Sequence, residues 1–376
     1  MNNRYNDHLV IVMAKEHYNP LSMIRSLGKR GINPIYIAID GKDKIASSSK
    51  YVSNCHFVKT VQEATDLLIK DYGHEAMPPF VLFTDDETVG YVDLRYDDLK
   101  NRFLYFNAGR SGRVNEFMNK FKVLELANKY GLKTLNTVMC DRGEIPAGLE
   151  YPIITKSISP LVGGWKSDVF ICENEEDLKN AYKSIQSPVV VLQKYIDKQN
   201  EYCLEGFSIN KGAETYFAIS VTYNYLLKDY YSPYLTVRKA DKEDINMALS
   251  AMIKEIGFEG IFETEFLIDQ NGAIYFDEIN FRNSPWSYPA AVLGSSLPEL
   301  WMRSMTWGSI LCRLAEVPDN FTAMIEPVDY AKRVEGGMIT EAQWLYDFKR
   351  SNVTFYYDED DTKPYYVMME NRKFYS

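Results

Sequence analysis

The sequence has little histidine, no closely spaced cysteine pair and no long apolar run. All four histidines lie within the first 74 of the 376 residues. A site built from later segments must therefore rely on carboxylates, lysines and arginines, unless the N-terminal region folds over it. The five cysteines are scattered, odd in number and form no CxxC motif. This argues against a disulfide framework or a zinc site and favours a reducing compartment.

Charge and hydropathy argue against two classes of partner. The net charge is −10 and no basic stripe interrupts it, so nucleic acid and anionic membranes are not expected partners. No stretch approaches the ~20 apolar residues of a membrane span. The N-terminal residues contain only a short apolar run and no cleavage-like site, so no signal peptide is predicted. We therefore expect a cytoplasmic protein.

Strand and helix patterns alternate along the first hundred residues. Three apolar runs predict buried strands at 8–14, 34–39 and 79–84. The helical patterns between them predict a small parallel α/β domain, with ligand-binding positions at the carboxyl ends of its strands. From about residue 151 the pattern changes to short strands with tight turns, which predicts a second, differently built region.

One predicted hairpin carries a group of polar side chains. Two strongly β-patterned runs flank Asn271 and Gly272, a dipeptide typical of two-residue hairpin turns. Such a turn would place Glu265 opposite Glu278 across the two strands. Two opposed carboxylates repel each other and destabilise a sheet unless something offsets their charge.

A hard cation is the natural candidate for that offset. The same register places Asn280 opposite Glu263 and Arg282 opposite Ile261, with Glu278, Asn280 and Arg282 on one face of their strand. Mg²⁺ prefers oxygen ligands and is often held by one or two carboxylates together with substrate phosphates. Arg282 suits a phosphate oxygen or a developing negative charge. The alternative is a solvated polar face with no ligand.

The hairpin sequence FETEFLIDQNGAIYFDEINFRNS resembles the metal-binding end of the ATP-grasp superfamily. The resemblance implies that Glu265 and Glu278 hold two Mg²⁺ ions, for which Mn²⁺ can substitute, and that Asn280 completes the site. It gives Arg282 a catalytic role at the phosphate. The sequence departs from the family at Phe281, where a proline is usual.

Other segments resemble the nucleotide-binding parts of the same family, in the expected order. NKFKVLELANKYG implies a nucleotide-contacting lysine at Lys120, with Lys122 as the alternative, and YPIITK implies a phosphate-binding lysine at Lys156. PLVGGWKS occupies the place of a glycine-rich lid loop. Its proposed ATP contacts are Gly163, Gly164 and Lys166, and an ordinary turn is the alternative.

VVVLQKYIDKQNEYCLEGF resembles the family's adenine-binding hinge. The resemblance implies that Gln193 and the segment Lys194, Tyr195 and Ile196 bind adenine, while Glu201 accepts from the ribose hydroxyls. The family often has glutamate at the position of Gln193. Arg238 is a candidate for contact with the γ-phosphate or acyl phosphate, with a solvated basic turn as the alternative.

The resemblance places the acceptor substrate between the N-terminal domain and the segment after the hairpin. The candidate substrate contacts are His17, Asp86, Ser284 and Trp286. His17 could equally be a solvated loop residue, and Trp286 a core side chain.

The expected domains are an N-terminal α/β domain at 1–110, an ATP-grasp domain at 111–324 with a mobile lid at about 151–195, and a C-terminal extension of unknown role at 325–376. The implied reaction is ligation of a carboxylate to an amine with ATP and Mg²⁺ as cofactors. The partners would be small-molecule substrates, and a homodimer is left open. The competing hypotheses are a carboxylase or kinase using the same site, a nucleotide-binding sensor without turnover, and a doubly wound protein with no ATP site.

Overall fold

A computed structural model describes residues 4–162, 165–227, 231–313 and 316–371. Its first layer is a parallel five-stranded sheet with the strand order β3-β2-β1-β4-β5. The strands are β1 (Val10–Lys15), β2 (Ile35–Ile39), β3 (Asn54–Val58), β4 (Phe80–Phe83) and β5 (Leu104–Tyr105). The helices between and after them are α1 (Tyr18–Gly28), α2 (Val61–Tyr72), α3 (Asp86–Leu94) and α4 (Tyr96–Leu99). The predicted parallel α/β architecture is confirmed.

Two helix caps place polar side chains at one edge of this sheet. Strands β1 and β4 are parallel neighbours, so their carboxyl ends lie together. The His17 side chain caps α1 directly after β1. Asp85 caps α3 after β4, its Oδ1 accepting from the Thr88 N–H at 2.8 Å.

A four-stranded antiparallel sheet follows helices α5 (Arg113–Phe117) and α6 (Lys120–Lys129). Its strands are β6 (Thr137–Asp141), β7 (Ile153–Ser157), β8 (Ile171–Cys172) and β9 (Val189–Lys194), with helix α7 (Glu175–Ala181) packed on it. The strand order is β6-β9-β7-β8. The sheet has a small apolar core of its own. It begins earlier than the expected lid start at residue 151, because β6 pairs with β9.

The third sheet has seven strands in the order β14-β13-β10-β11-β12-β15-β16 and is antiparallel except for its last pair. Its strands are β10 (Lys198–Ile209), β11 (Glu214–Tyr223), β12 (Tyr234–Arg238), β13 (Gly260–Asp269), β14 (Ile274–Asn280), β15 (Thr322–Met324) and β16 (Val353–Thr354). The remaining α-helices are α8 (Glu243–Ile256), α9 (Tyr288–Val292), α10 (Leu297–Trp307), α11 (Glu326–Tyr330), α12 (Glu341–Arg350) and α13 (Lys363–Asn371).

One apolar core joins the first and third sheets. Phe106 packs edge-on against Phe83 at the end of β4 and against Trp301 on α10, with ring centroids 5.6 and 5.0 Å apart. This packing holds the carboxyl edge of the parallel sheet beside the segment that follows β14.

The C-terminal region continues this packing. Strands β15 and β16 extend the large sheet, and the chain after β16 packs against α1 through the buried Arg25. The expected boundary at residue 325 therefore falls within elements that share one sheet. No helix of the described residues combines the length and apolarity needed to cross a membrane.

Candidate functional site

The hairpin of β13 and β14 carries the predicted pairing of acids. Glu265 lies opposite Glu278, and Glu263 lies opposite Asn280. The predicted two-residue turn is wrong, because the Asp269 N–H donates to the Ala273 carbonyl at 3.0 Å across a three-residue turn. A β-bulge between Phe266 and Glu265 then shifts the register by one residue. On the side of the bulge away from the turn, the pairs are again the predicted ones.

The bulge changes the side on which Asp277 lies. Asp277 is the extra residue of β14 at the register shift. Regular alternation would place its side chain on the face opposite that of Glu278. Both acids instead contact a lysine: Lys156 Nζ donates to the two Asp277 oxygens at 2.7 and 3.0 Å, and Lys120 Nζ donates to Glu278. Together with Glu265, three carboxylates therefore share one side of the hairpin.

The two lysines come from separate parts of the fold. Lys156 lies on β7 of the four-stranded sheet, and Lys120 is the first residue of α6, which Asn119 caps. Burial, followed by the positive charge of Lys156, lowers the pKa of Lys120 below its usual range. Lys122, the alternative, is exposed and pairs with Glu116. The geometry favours Lys120.

The acids fit a hard cation chemically. Burial raises the pKa of Glu265 to about 8, and the negative charges of Glu263, Glu201 and Asp277 add to the effect. A divalent cation would offset this repulsion. The amide Nδ2 of Asn280 donates hydrogen bonds to Glu263 and to Glu265 at 3.1 and 2.8 Å. These bonds do not use its Oδ1, which can therefore serve as a metal ligand.

Two of these acids already form ion pairs with lysine side chains. Among the described residues, no three acidic, histidine or cysteine side chains form a ready-made metal site. Lys120 and Lys156 instead contact Glu278 and Asp277. Mg²⁺ needs only one or two carboxylates when substrate phosphates supply further oxygens. The residues present therefore fit Mg²⁺ bound together with a nucleotide.

Arg282 links the hairpin to the N-terminal sheet. It lies beyond the end of β14, so the predicted pairing with Ile261 is wrong. Its Nε lies 3.3 Å from an Asp86 oxygen at the start of α3, and its Nη1 lies 3.3 Å from a Glu263 oxygen. Burial by itself would lower the pKa of Arg282, but Asp86, Glu263 and Glu265 raise it on balance. The guanidinium is thus held charged beside the carboxylate cluster.

Buried hydrogen bonds fix the segment after Arg282. Ser284 Oγ donates to Glu263 Oε1 at 2.8 Å. The side chains of Asn283 and Asn19 lie against each other, with Asn19 Nδ2 donating to the Asn283 carbonyl at 2.9 Å and Asn283 Nδ2 donating to Asn19 Oδ1 at 3.1 Å. Asn19 also donates to the Thr84 carbonyl at 3.0 Å. Arg282 and Glu263 thus link Asp86 to Ser284, and the contact of these two residues with a substrate stays a prediction.

Trp286 and His17 differ in how they contribute there. Trp286 is buried and packs edge-on against Tyr231 and Phe355, so it fits the core-packing alternative. His17 is exposed, caps α1 and contacts the ring of Tyr18 at 3.9 Å between centroids. His17 lies at the expected sheet edge and caps α1, and its contact with a substrate stays a prediction.

The predicted adenine segment contains one unsatisfied buried acceptor. Gln193 is buried at the end of β9, and its Nε2 donates to Thr137 Oγ1 at 3.2 Å. Its Oε1 is buried and has no hydrogen-bond partner in the described part of the chain. A buried acceptor without a partner costs free energy, so a ligand amino group would stabilise it.

The backbone after Gln193 is partly used. The Lys194 N–H donates to Asn136 O and the Tyr195 N–H to Pro152 O, at 2.8 and 2.9 Å. Within the segment 194–196, only Ile196 keeps an N–H without such a bond in the described ranges. The Lys194 side chain is bound to the carbonyls of residues 150 and 151. The predicted ribose acceptor, Glu201, forms an ion pair with Lys198.

Arg238 is not brought to the cluster. Arg238 pairs with Ser220 on β11, and Ser220 is in register with Thr264 on β13 through Leu204 on β10. Because Thr264 and Glu265 are consecutive on β13, their side chains point to opposite faces of the sheet. Arg238 is also exposed at the end of β12. The described contacts give the predicted catalytic role of Arg238 no support, and that role stays a prediction. Gly163 and Gly164, and the Lys166 side chain, lie outside the described part of the structure.

Sequence reasoning missed Asp277, Glu263 and Glu205. Glu205 lies opposite Glu263 across β10 and β13, and its buried carboxylate lies close to Glu263 and Ser284 without a hydrogen bond of regular geometry among the described residues. Burial, with the negative charge of Glu263, raises the pKa of Glu205 well above its usual range. Glu263 could have been found from its predicted position opposite Asn280. Asp277 required recognition that three residues, Gln270 to Gly272, form the turn.

Comparisons with known proteins place these features in context. No family model matches the chain. Over 136 residues, 35% of this chain and 34% of the relative, it is 32% identical to N5-carboxyaminoimidazole ribonucleotide synthase from Staphylococcus aureus (strain COL). The match thus spans about a third of the length of the curated relatives.

Solved structures match over a larger share of the chain. L-amino acid ligase from Bacillus licheniformis superposes with a TM-score of 0.61 at 14% identity, over 79% of this chain and 74% of that one. The biotin carboxylase domain of Hydrogenobacter thermophilus 2-oxoglutarate carboxylase, a dimer crystallised with MgADP, ADP and bicarbonate, gives a TM-score of 0.62 at 17% identity, over 81% and 71%. These likenesses show the fold.

The fold agrees with the one that the sequence resemblance implies. A parallel α/β domain, a small lysine-bearing sheet and a large sheet ending in the acidic hairpin follow one another, and the fold expected from the resemblance to the ATP-grasp superfamily is confirmed.

Proposed function

We propose that this chain is an ATP-dependent ligase that phosphorylates a carboxylate and joins the acyl phosphate to an amine. The observation that carries the proposal is the convergence of Lys120 and Lys156 on Glu278 and Asp277, beside Glu265. Phosphoryl transfer depends on positioning and charge stabilisation, for which such a cluster is suited without histidine. The MgADP bound by the related carboxylase domain supports the choice of nucleotide and metal.

The nucleotide would lie between the small sheet and the hairpin. Adenine would meet Gln193 Oε1, the Lys194 carbonyl and the Ile196 N–H, and the ribose would meet Glu201. Lys120 and Lys156 would turn from their carboxylates to the phosphates. Glu265, Glu278 and Asn280 would hold two Mg²⁺ ions, or Mn²⁺, which neutralise phosphate charge.

The reaction has two steps. A carboxylate oxygen forms a bond to the γ-phosphorus while the bond from that phosphorus to the bridging oxygen breaks, and ADP leaves. The amine nitrogen then attacks the acyl carbon, the carbon–oxygen bond to phosphate breaks, and the departing phosphate takes the amine proton. Arg282, held by Asp86 and Glu263, would stabilise the charge that develops in both steps.

The acceptor would bind where Asp86 meets the segment containing Ser284. Both positions are fixed by buried hydrogen bonds, which limits the movement of the groups around it. The substrates would be small molecules. The dimeric carboxylase domain is consistent with a homodimer of this chain, which stays a proposal.

The test measures ATP binding by calorimetry, with Mg²⁺ and with EDTA. Three proteins are compared: the native chain, Glu278→Gln, and Glu125→Gln as the control. The control removes the same charge from an exposed position on α6. We expect Mg²⁺ to strengthen ATP binding in the native chain and in the control. In Glu278→Gln, the ratio of ATP affinity with Mg²⁺ to that in EDTA should be at least roughly tenfold smaller, which lies within the usual coupling between bound ligands. Absence of ATP binding by the native chain would overturn the proposal.

A phosphate-release assay then separates the reaction classes. The native chain is given ATP, Mg²⁺ and pairs of L-amino acids, or bicarbonate alone. Release that requires both a carboxylate and an amine supports the ligase. Release with bicarbonate alone indicates a carboxylase, and phosphate transfer without release indicates a kinase. ATP binding without turnover across this panel favours a sensor.

A further inference from the structure

Asp277 forms an ion pair that the proposed metal site does not account for. It faces the carboxylate cluster only because β14 contains a bulge at this residue. A β-bulge interrupts the hydrogen-bond ladder, and such bulges often re-aim a side chain next to a functional site. The bulge therefore interrupts the hydrogen bonding between β13 and β14 and places a third acid on the side of the hairpin where Glu265 and Glu278 already repel each other.

The partner of Asp277 explains this arrangement. Both carboxylate oxygens accept from Lys156 Nζ, at 2.7 and 3.0 Å, and the two side chains are only 14–15% exposed. The pair connects β14 of the large sheet to β7 of the small sheet. Lys156 is one of the two lysines that would contact phosphate, so its position in the absence of nucleotide depends on Asp277.

We propose that Asp277 is a positioning residue that holds Lys156 as an internal counter-ion until nucleotide phosphates and Mg²⁺ replace the pair together. This rests on the proposed ATP site. Without metal, phosphate must draw Lys156 away from Asp277 and approach three carboxylates. With Mg²⁺ on Glu265 and Glu278, the cation offsets the acids, and Lys156 can move to the phosphate. The pair thereby makes ATP binding depend on Mg²⁺.

The experiment removes the charge of Asp277 without changing its shape. ATP binding in EDTA, ATP binding with Mg²⁺, and adenosine binding are measured by calorimetry for the native chain, Asp277→Asn, Asp277→Glu and Glu125→Gln. We expect Asp277→Asn to bind metal-free ATP roughly tenfold more tightly and to gain correspondingly less from Mg²⁺, within the usual range of coupling. Adenosine, which has no phosphate, should bind unchanged. Asp277→Glu should restore the native pattern, and Glu125→Gln should match the native chain throughout.

A second background tests whether Asp277 acts through Lys156. In Lys156→Met, the Asp277→Asn change should alter metal-free ATP affinity by about threefold or less, since the pair no longer exists. Tightening that persists in full without Lys156 would overturn the proposal, because the charge of the acid alone would then explain it. Weaker or unchanged metal-free ATP binding in Asp277→Asn would also overturn it, as would a parallel loss of adenosine binding. If the native chain binds no ATP in any condition, the proposed function itself fails.

Discussion

Arg25 on α1 anchors the C-terminal segment by a buried network. Its Nε pairs with Asp361 at 3.0 Å, and its two terminal nitrogens donate to the carbonyls of Phe355, Tyr356 and Asp361 at 2.9, 3.0 and 2.7 Å. The arginine is fully buried. We predict that Arg25→Met releases residues 355–361 while the large sheet, including β16, stays folded.

The magnitude follows from what the substitution leaves behind. Breaking a buried ion pair by removing one partner costs about 3–5 kcal/mol, and each buried carbonyl left without a donor adds about 1–3 kcal/mol unless water reaches it. Asp361 keeps the Ser49 hydroxyl and the Lys50 N–H at 2.7 and 2.9 Å, which offsets part of the loss. We expect a net cost of about 4 kcal/mol, in the middle of the range for the pair alone.

Hydrogen exchange is the direct assay. The amides of Phe355 and Tyr356 donate to the buried Glu326 at 3.0 and 3.1 Å, so they report on whether this segment is docked. A cost of about 4 kcal/mol corresponds to roughly 1,000-fold faster exchange of these amides. The control is Arg30→Met, because Arg30 is 38% exposed and lies 3.6 Å from Glu299. That exposed pair is worth less than about 1 kcal/mol.

Two results would refute this reasoning. One is exchange at residues 355 and 356 that changes by less than about tenfold in Arg25→Met. The other is loss of the whole fold, which would show that the segment does not open separately. Because the ring of Phe355 packs against Trp286 and Tyr18, release should also impair acceptor use more than ATP binding.

Three further predictions concern buried groups. Burial and a neighbouring acid raise the pKa of Glu205, so above about pH 4.5 the folded chain keeps a proton that the unfolded chain has lost, and stability falls as pH rises. Glu205→Gln should therefore gain stability over the native chain from pH 5 to pH 8 in denaturant titrations, and parallel curves would contradict this. A Cβ on Gly260 would meet the Phe106 ring at 2.8 Å, whereas one on Gly272 meets nothing within 4 Å. Gly260→Ala should therefore cost about 1–3 kcal/mol more than Gly272→Ala in the same assay, and equal costs would refute the crowding. Gln193→Met should weaken ATP binding about tenfold without affecting inorganic triphosphate, and equal loss of both would remove the adenine contact.

Local sequence patterns determined the hairpin and its two strands, whereas the pairing of Glu265 with Glu278 also depended on the bulge in β14. Period-two alternation and the turn residues are properties of neighbours in the chain, so the amino-acid order alone places Glu265, Glu278 and Asn280 on the paired strands. The resemblance of two segments to the ATP-grasp family singled out Lys120 and Lys156, and the fold brings both to the hairpin.

Tertiary structure alone decided how these parts meet. Asp277 would lie on the far side of β14 without its bulge, and its partner Lys156 is 121 residues away in the chain. The face of the sheet on which Arg238 lies depended on the register of β12 with β11, of β11 with β10 and of β10 with β13. The docking of the C-terminal segment depended on Arg25, more than 300 positions earlier. Alternation within one strand carries no information about which distant segments pair with each other. That pairing depends on the folded chain, because a charged side chain that is buried without a partner is strongly destabilising.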